Sequence, residues 1–281
     1  QTVDYTYNIR GWLTDINNVH ATPTMETGGK LFAFHISYDQ LRYSAARTET
    51  ARALYNGNIS QTFWKTPAQS LRSYDYQYDG LNRLLNATFY KGTSTTQKNY
   101  YDEQLSYDHN GNITQVSRNG TTETGTPVLI DQLSYHYQQQ SNKLLKVSDH
   151  SNHSEGFADG TNAGDDYVYD ENGNLIQDLN KGISEIKYNY LNLPTEVIWN
   201  SNKRIHYAYD ANGVKLRKVV IDGSKVTTTD YLGGFQYKNN DLQFFPTAEG
   251  YVNVVTNKVS GGRTYNYVYN YTDHLGNVRL S

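Results

Sequence analysis

Apolar and polar positions alternate with a period of two in short runs along this chain, and the runs end in Asp, Asn and Gly. The stretch Tyr167–Asp178, YVYDENGNLIQD, is the clearest example. Alternation puts Tyr167 and Tyr169 on one face of a strand. Asp170 can bond forward to backbone N–H groups and start a turn. Gly173 can take a positive φ without steric cost, and Leu175 opens the return strand. The pattern predicts a β-hairpin closed by a type I turn and a glycine bulge.

The same word is written again and again. Copies stand at Tyr5–Leu13, Tyr76–Leu84, Leu105–Ile113, Tyr188–Val197, Tyr207–Leu216 and Tyr269–Leu280. Degenerate copies stand at Leu54–Phe63 and Tyr135–Val147. The repeated tyrosine falls at Tyr7, Tyr78, Tyr107, Tyr169, Tyr190, Tyr209 and Tyr271. The turn aspartate falls at Asp79, Asp108, Asp170 and Asp210, and the turn glycine at Gly11, Gly111, Gly173, Gly213 and Gly276. Tyr169, Tyr190 and Tyr209 recur at about 20 residues, with wider gaps where loops are inserted, near 121–127 and 148–166. No unit can bury its own face, so neighbouring units are expected to pair edge to edge in one long antiparallel sheet. Helical periodicity is weak, and Tyr43–Leu54 is the best helix candidate. Gly233-Gly234 reads as a bulge or bend.

Composition sharpens the picture. The chain has 27 tyrosines against 8 phenylalanines, with only 37% hydrophobic residues. Tyrosine therefore supplies much of the packed area, as suits strands with one apolar and one wet side. The net charge of −3 removes the electrostatic case for nucleic acid. With no cysteine there is no disulfide or thiolate chemistry. No apolar run reaches the roughly 18 residues of a membrane-spanning helix. The sequence opens on Gln1 without a charged-then-apolar signal segment, which points to a piece of a longer polypeptide.

Candidate chemistry is sparse. The loop Asp149–Asp166 gathers His150, His153, Asp159, Asp165 and Asp166, ligand types that suit a transition metal or Ca²⁺. Their spacing matches no specific signature, and a solvated insertion is the simpler reading. Asp273 and His274 are adjacent, so on a strand they point to opposite faces rather than form a catalytic dyad. Nucleophile-elbow, HExxH and phosphate-loop motifs are absent, and no cofactor is expected. The tyrosine ladder could stack on sugars or hold a protein, but equivalent repeat positions favour rings packed against one another.

The words YDENGNL, YDANGVKL, YDHNGNI and YDGLNRL resemble the YD repeats of the RHS (rearrangement hot spot) family, which also occur in teneurins and insecticidal toxin complexes. The resemblance covers most of the chain. Ala53–Trp64 and Tyr271–Ser281 resemble segments of RHS proteins of the Bacteroidetes group, the second being similar to the start of the family's C-terminal associated core, about 265–281. In many relatives that core continues to an Asp-Pro-x-Gly region where self-cleavage frees a toxic domain. No such motif stands in these residues, so no cleavage residue is carried over.

The resemblance implies an all-β chain, residues 1–281 forming one repeat-shell domain whose hairpins pair into a curved, spiralling antiparallel sheet, a partial or complete shell. It also implies a bacterial secreted or cell-surface protein without catalysis, enclosing or presenting a linked cargo such as a C-terminal toxin. The implied partners are the remaining N- and C-terminal parts of the polypeptide, the cargo, and an envelope or secretion-machinery protein. The alternative is an extracellular adhesion or recognition module for a protein or glycan.

Overall fold

The structure, a computed structural model, describes residues 2–19, 29–43, 47, 51–92, 100–120, 125–160, 163–257, 259–273 and 275–281. Among the described residues every helix or strand assigned is a β-strand. Strands pair antiparallel with their chain neighbours. Ten of them, from Tyr5–Tyr7 to Leu144–Asp149, form one sheet, and nine, from Glu185–Tyr188 to Arg263–Tyr269, form another. Two short ribbons complete the set, Tyr167–Tyr169 with Leu175–Asp178 and Tyr271–Thr272 with Val278–Leu280. The hairpin grammar of the sequence is thus the architecture.

The ladder is interrupted where the sequence promised one continuous sheet. Beyond Leu144–Asp149 the next segment does not add a full strand. The buried Asp166 carboxylate accepts the Val147 N–H at 2.8 Å and the Asn180 amide at 2.9 Å, taking the place of a neighbouring strand's carbonyl. A single bridge, Asp178 to Ile183, follows the short ribbon. Buried strand N–H groups must be paired, and a side-chain carboxylate does so where a loop has displaced the next strand.

The chain divides into two compact units. One comprises Gln1–Tyr135, Ser148–Phe157 and Tyr271–Leu280, the other His136–Val147 and Ala158–Asn270 with Ser281. The first unit has a two-sided core. Ala33–Ser37 is buried along its whole length, and Leu13, Ile16, Phe32, Phe34, Ile36 and Tyr38 cluster around it. Tyr271 and Leu280 of the last ribbon pack on that cluster. The second unit is thinner. Among its described residues the buried cluster is Leu242, Val252 and Val254, and the strand Arg263–Tyr269 is exposed at nearly every residue.

Of the helix candidate Tyr43–Leu54, residues 44–46 and 48–50 lie outside the described residues, and Ala51–Leu54 carry no helix. Arg47 is instead buried, with its guanidinium 2.9 Å from Ser73 Oγ, 3.4 Å from Asp75 Oδ1 and over the Tyr90 ring. Of the two readings of Gly233-Gly234, a bulge or a bend, the structure shows the bend. Both have positive φ, at 57° and 93°, between the paired residues Leu232 and Phe235, which makes a two-residue hairpin turn.

Candidate functional site

The feature that recurs most is the joint between hairpins, built from a turn and a tyrosine. In the turn at Asp170, the Gly173 N–H donates to Asp170 O at 3.1 Å, and the Asp170 N–H donates to Asn174 O at 2.9 Å. Asp170 Oδ1 accepts the N–H groups of Asn172 and Asn174 at 2.9 and 2.8 Å, while Oδ2 accepts the Asn174 amide. Gly173 sits at φ 82°, and the strand register shifts between Val168 and Tyr169, as a bulge requires. Asp79, Asp108, Asp210 and Asp273 accept the same pair of N–H groups, two and four residues on.

Two further turns use asparagine at the same place, Asn8 and Asn189, through Oδ1. The positive-φ position is likewise Gly in most turns but Asn82 and Asn192 in two, at 64° and 57°. Hydrogen bonds from the Asn174 and Asn112 amides hold the Asp170 and Asp108 carboxyls below the usual range, with backbone N–H groups adding to the effect. For Asp79 the lowering comes first from the Arg83 N–H. Burial pushes the Asp273 carboxyl up, but the bonds from Asn277 and Arg279 outweigh it. These carboxylates are engaged as turn closures.

The tyrosine ties one hairpin to the one before. Tyr107 Oη donates to Leu84 O at 2.7 Å, Tyr169 Oη to Leu144 O at 2.8 Å, Tyr188 Oη to Leu175 O at 2.7 Å and Tyr209 Oη to Pro194 O at 2.9 Å. In each case the acceptor is the first residue of an earlier return strand. Tyr78 Oη reaches Ile59 O in the same way, at 2.9 Å. Burial pushes the Tyr78 hydroxyl up to about 12, and those of Tyr107, Tyr169, Tyr188 and Tyr209 also rise, chiefly through desolvation. The ring packs while the hydroxyl satisfies a backbone carbonyl, so the ladder is a set of joints rather than a row of free aromatic faces.

Two of the repeat tyrosines read from the sequence stand elsewhere. Tyr190 lies in the turn that Asn189 opens and is 84% exposed; the tie is made by Tyr188. The run Tyr-Asn-Tyr hid this, because either tyrosine fits an alternating pattern and the turn residue is Asn rather than Asp. Spacing from Asn189 to the positive-φ Asn192 is the signal that locates the register. In the last ribbon the position equivalent to Tyr169 is Thr272, opposite Val278. Tyr271 turns to the core instead, its ring edge-on to Phe32 with centroids 6.3 Å apart. Tyr7, in the first hairpin, is 55% exposed. His274 lies outside the described residues.

The metal candidates are not assembled. His150 Nε2 lies 3.3 Å from Ser134 Oγ, and His153 Nδ1 accepts the Glu155 N–H at 3.2 Å. Asp166 is committed to Val147 and Asn180, and Asp159 and Asp165 join no ligand group. No cluster of three or more His, Cys, Asp or Glu side chains suited to a cation occurs among the described residues. Nor is the 148–166 segment a freely solvated insertion. In the first unit Asp149 Oδ1 accepts the Gln132 N–H, Ser151 Oγ donates to Ile130 O, and Gly156 lies so close to Ile130 that any side chain there would strike its carbonyl. Its residues 161–162, like 121–124 of the other predicted loop, lie outside the described residues.

The first unit also holds an open, largely apolar hollow of about 410 Å³, walled by Phe34, Ile36, Trp64, Tyr74 and Tyr76 and bordered by Asp273, Leu275 and Arg279. Arg279 Nη2 meets Asp273 Oδ2 at 2.5 Å at its rim, with the guanidinium over the Phe34 ring. Burial raises the Tyr74 and Tyr76 hydroxyls, so the wall presents neutral aromatic rings. Such a hollow can accept an apolar side chain or ring.

No family model and no curated protein sequence matches the chain. Solved structures do. The crystal structure of TcdB2-TccC3-Cdc42 is similar with a TM-score of 0.54 at 13% identity, over 99% of this chain and 15% of that chain. The crystal structure of TcdB2-TccC3-TEV gives 0.53 at 11%, over 99% and 15%. The Tc holotoxin pore of Photorhabdus luminescens gives 0.46 at 12%, over 99% and 14%. The chain thus spans about 15% of the length of the first two of these structures, and the likeness is one of fold.

Proposed function

We propose that this chain is a wall-forming segment of a secreted or cell-surface RHS-type protein, one that encloses or presents a linked polypeptide such as a toxin and carries no catalysis of its own. The observation that carries the reading is the joint. One hairpin with one turn chemistry recurs, tied by a tyrosine hydroxyl to the strand before it. Such a device extends surface and adds no reacting group. The buried carboxylates are spent in the same way: Asp131 on Arg118, Asp149 on the Gln132 N–H, and Asp166 on the Val147 N–H.

The fold likeness to TcdB2-TccC3 supports the reading, as do the YD words of the sequence. No helix among the described residues is long and apolar enough to cross a membrane. The implied partners are the rest of the polypeptide, its cargo, and an envelope or secretion component. Electron cryo-microscopy of the full-length polypeptide tests the proposal. Density for a linked segment should lie against one face of these strands. Both faces bare to solvent, with no linked density, would overturn it. Turnover of ester, peptide or glycoside substrates by the purified chain would overturn the claim that it lacks catalysis.

A further inference from the structure

Three adjacent strands of the first unit each carry the tripeptide Gln-apolar-Ser: Gln104-Leu105-Ser106, Gln115-Val116-Ser117 and Gln132-Leu133-Ser134. Antiparallel pairing sets them in register. Gln104 stands opposite Ser117, and Ser117 opposite Gln132; Ser106 stands opposite Gln115, and Gln115 opposite Ser134. Cross-strand partners lie on the same face, so long amides and short hydroxyls alternate in a checkerboard, while Leu105, Val116 and Leu133 are opposed on the other face. The short serines between long glutamines leave a hollow of about 410 Å³, and His150 borders it beside Ser134.

We propose that this hollow is a binding site for a neutral saccharide. Each glutamine offers one acceptor oxygen and two donor hydrogens, and each serine a hydroxyl that can do either, Ser106 Oγ already lying 3.0 Å from Thr114 Oγ1 and Ser134 Oγ 3.3 Å from His150 Nε2. None of the three glutamine amides is engaged by another described side chain. The lining carries no Lys, Arg, Asp or Glu, so an ionic ligand gains no partner there, and an apolar one would strand the amides without hydrogen bonds. A ring of uncharged hydroxyls matches both the donors and the acceptors. One outward-facing row of the second unit is different. In the second unit Lys187, Glu196 and His206 stand opposite one another, with Lys187 Nζ 2.9 Å from Glu196 Oε2. The volume falls in the range of small-ligand clefts and suits a mono- or disaccharide.

The site is independent of the shell reading, since a wall can carry a sugar site on either face. Saturation-transfer NMR and calorimetry on the purified chain test it, using glucose, galactose, N-acetylglucosamine, maltose, lactose and cellobiose, with glucuronate and glucosamine as charged controls. At least one neutral sugar should bind saturably and its charged analogue should not. The double variant Gln115→Ala/Gln132→Ala, at exposed positions, should bind about tenfold more weakly or worse while keeping its circular dichroism and melting temperature. No binding of any neutral sugar at about 20 mM, well above a millimolar dissociation constant, would overturn the proposal. So would unchanged binding in the folded double variant, or binding of the charged controls alone.

Discussion

Tyr188→Phe and Tyr190→Phe together form the sharpest test of the joint. Each removes one hydroxyl two residues apart in the same word, yet the structure assigns them opposite roles. Tyr188 Oη donates to Leu175 O at 2.7 Å in a half-buried setting, whereas Tyr190 lies 84% exposed in the turn. A hydrogen bond of this kind contributes about 0.5–1.5 kcal/mol net, rising toward 1–3 kcal/mol if the abandoned carbonyl stays dry. Tyr188→Phe should therefore cost about 1 kcal/mol, a fall in melting temperature of roughly 2–4 °C for a body of this size. Tyr190→Phe should fall within about 0.5 kcal/mol of the parent, as surface changes do. Urea titration followed by circular dichroism and by fluorescence reads both, and the indole of Trp199 is a local reporter because its Nε1 donates to Lys181 O in the same unit. If Tyr190→Phe costs as much as Tyr188→Phe, the register is wrong and the ladder is not a set of ties.

Four further outcomes follow from the same geometry. Gly173→Val should destabilise the chain by roughly 1–2 kcal/mol in thermal melts, because φ of 82° is hostile to a branched side chain, while Gly173→Asn should be milder, as Asn82 and Asn192 hold the equivalent place. Gly156→Ala should cost roughly 1–3 kcal/mol, because its Cβ would lie 1.8 Å from Ile130 O and force the loop off the strand; a melt at the parent temperature would contradict that packing. The raised tyrosine hydroxyls bind their protons more tightly folded than unfolded, so their stabilisation is whole below about pH 10 and is lost as pH rises toward about 12 for Tyr78; absorbance at alkaline pH should show late ionisation coupled to unfolding. The depressed carboxyls of Asp79, Asp108 and Asp170 act in the opposite sense, contributing above about pH 3.9 and losing that contribution as pH falls through their lower folded values, so stability should be flat near neutrality and drop in acid.

The hairpins were legible in the sequence because their determinants are local. Asp170, Asn172 and Gly173 close a turn through bonds that span two to four residues, and a strand's alternation is visible within a few positions. What lies beyond one hairpin was not legible. The hydroxyl of Tyr169 finds Leu144, across 25 residues, and nothing in the word names its acceptor. The break in the ladder falls where Asp166, a candidate ligand in a loop that reads most simply as a solvated insertion, accepts the Val147 N–H. Gln-apolar-Ser looked like ordinary strand alternation until the register set three copies side by side. Tyr188 and Tyr190 both fit an alternating pattern, and only position relative to the turn that Asn189 opens separates them.

Protease protection of a linked polypeptide tests the wall most directly. In the full-length protein, a segment joined to these repeats should resist a broad-specificity protease while the repeats are folded. It should become cleavable in step with unfolding, and at lower denaturant when Tyr188→Phe and Gly173→Val loosen the joints. Cleavage of that segment at the rate of the free peptide, with the repeats intact, would contradict the account.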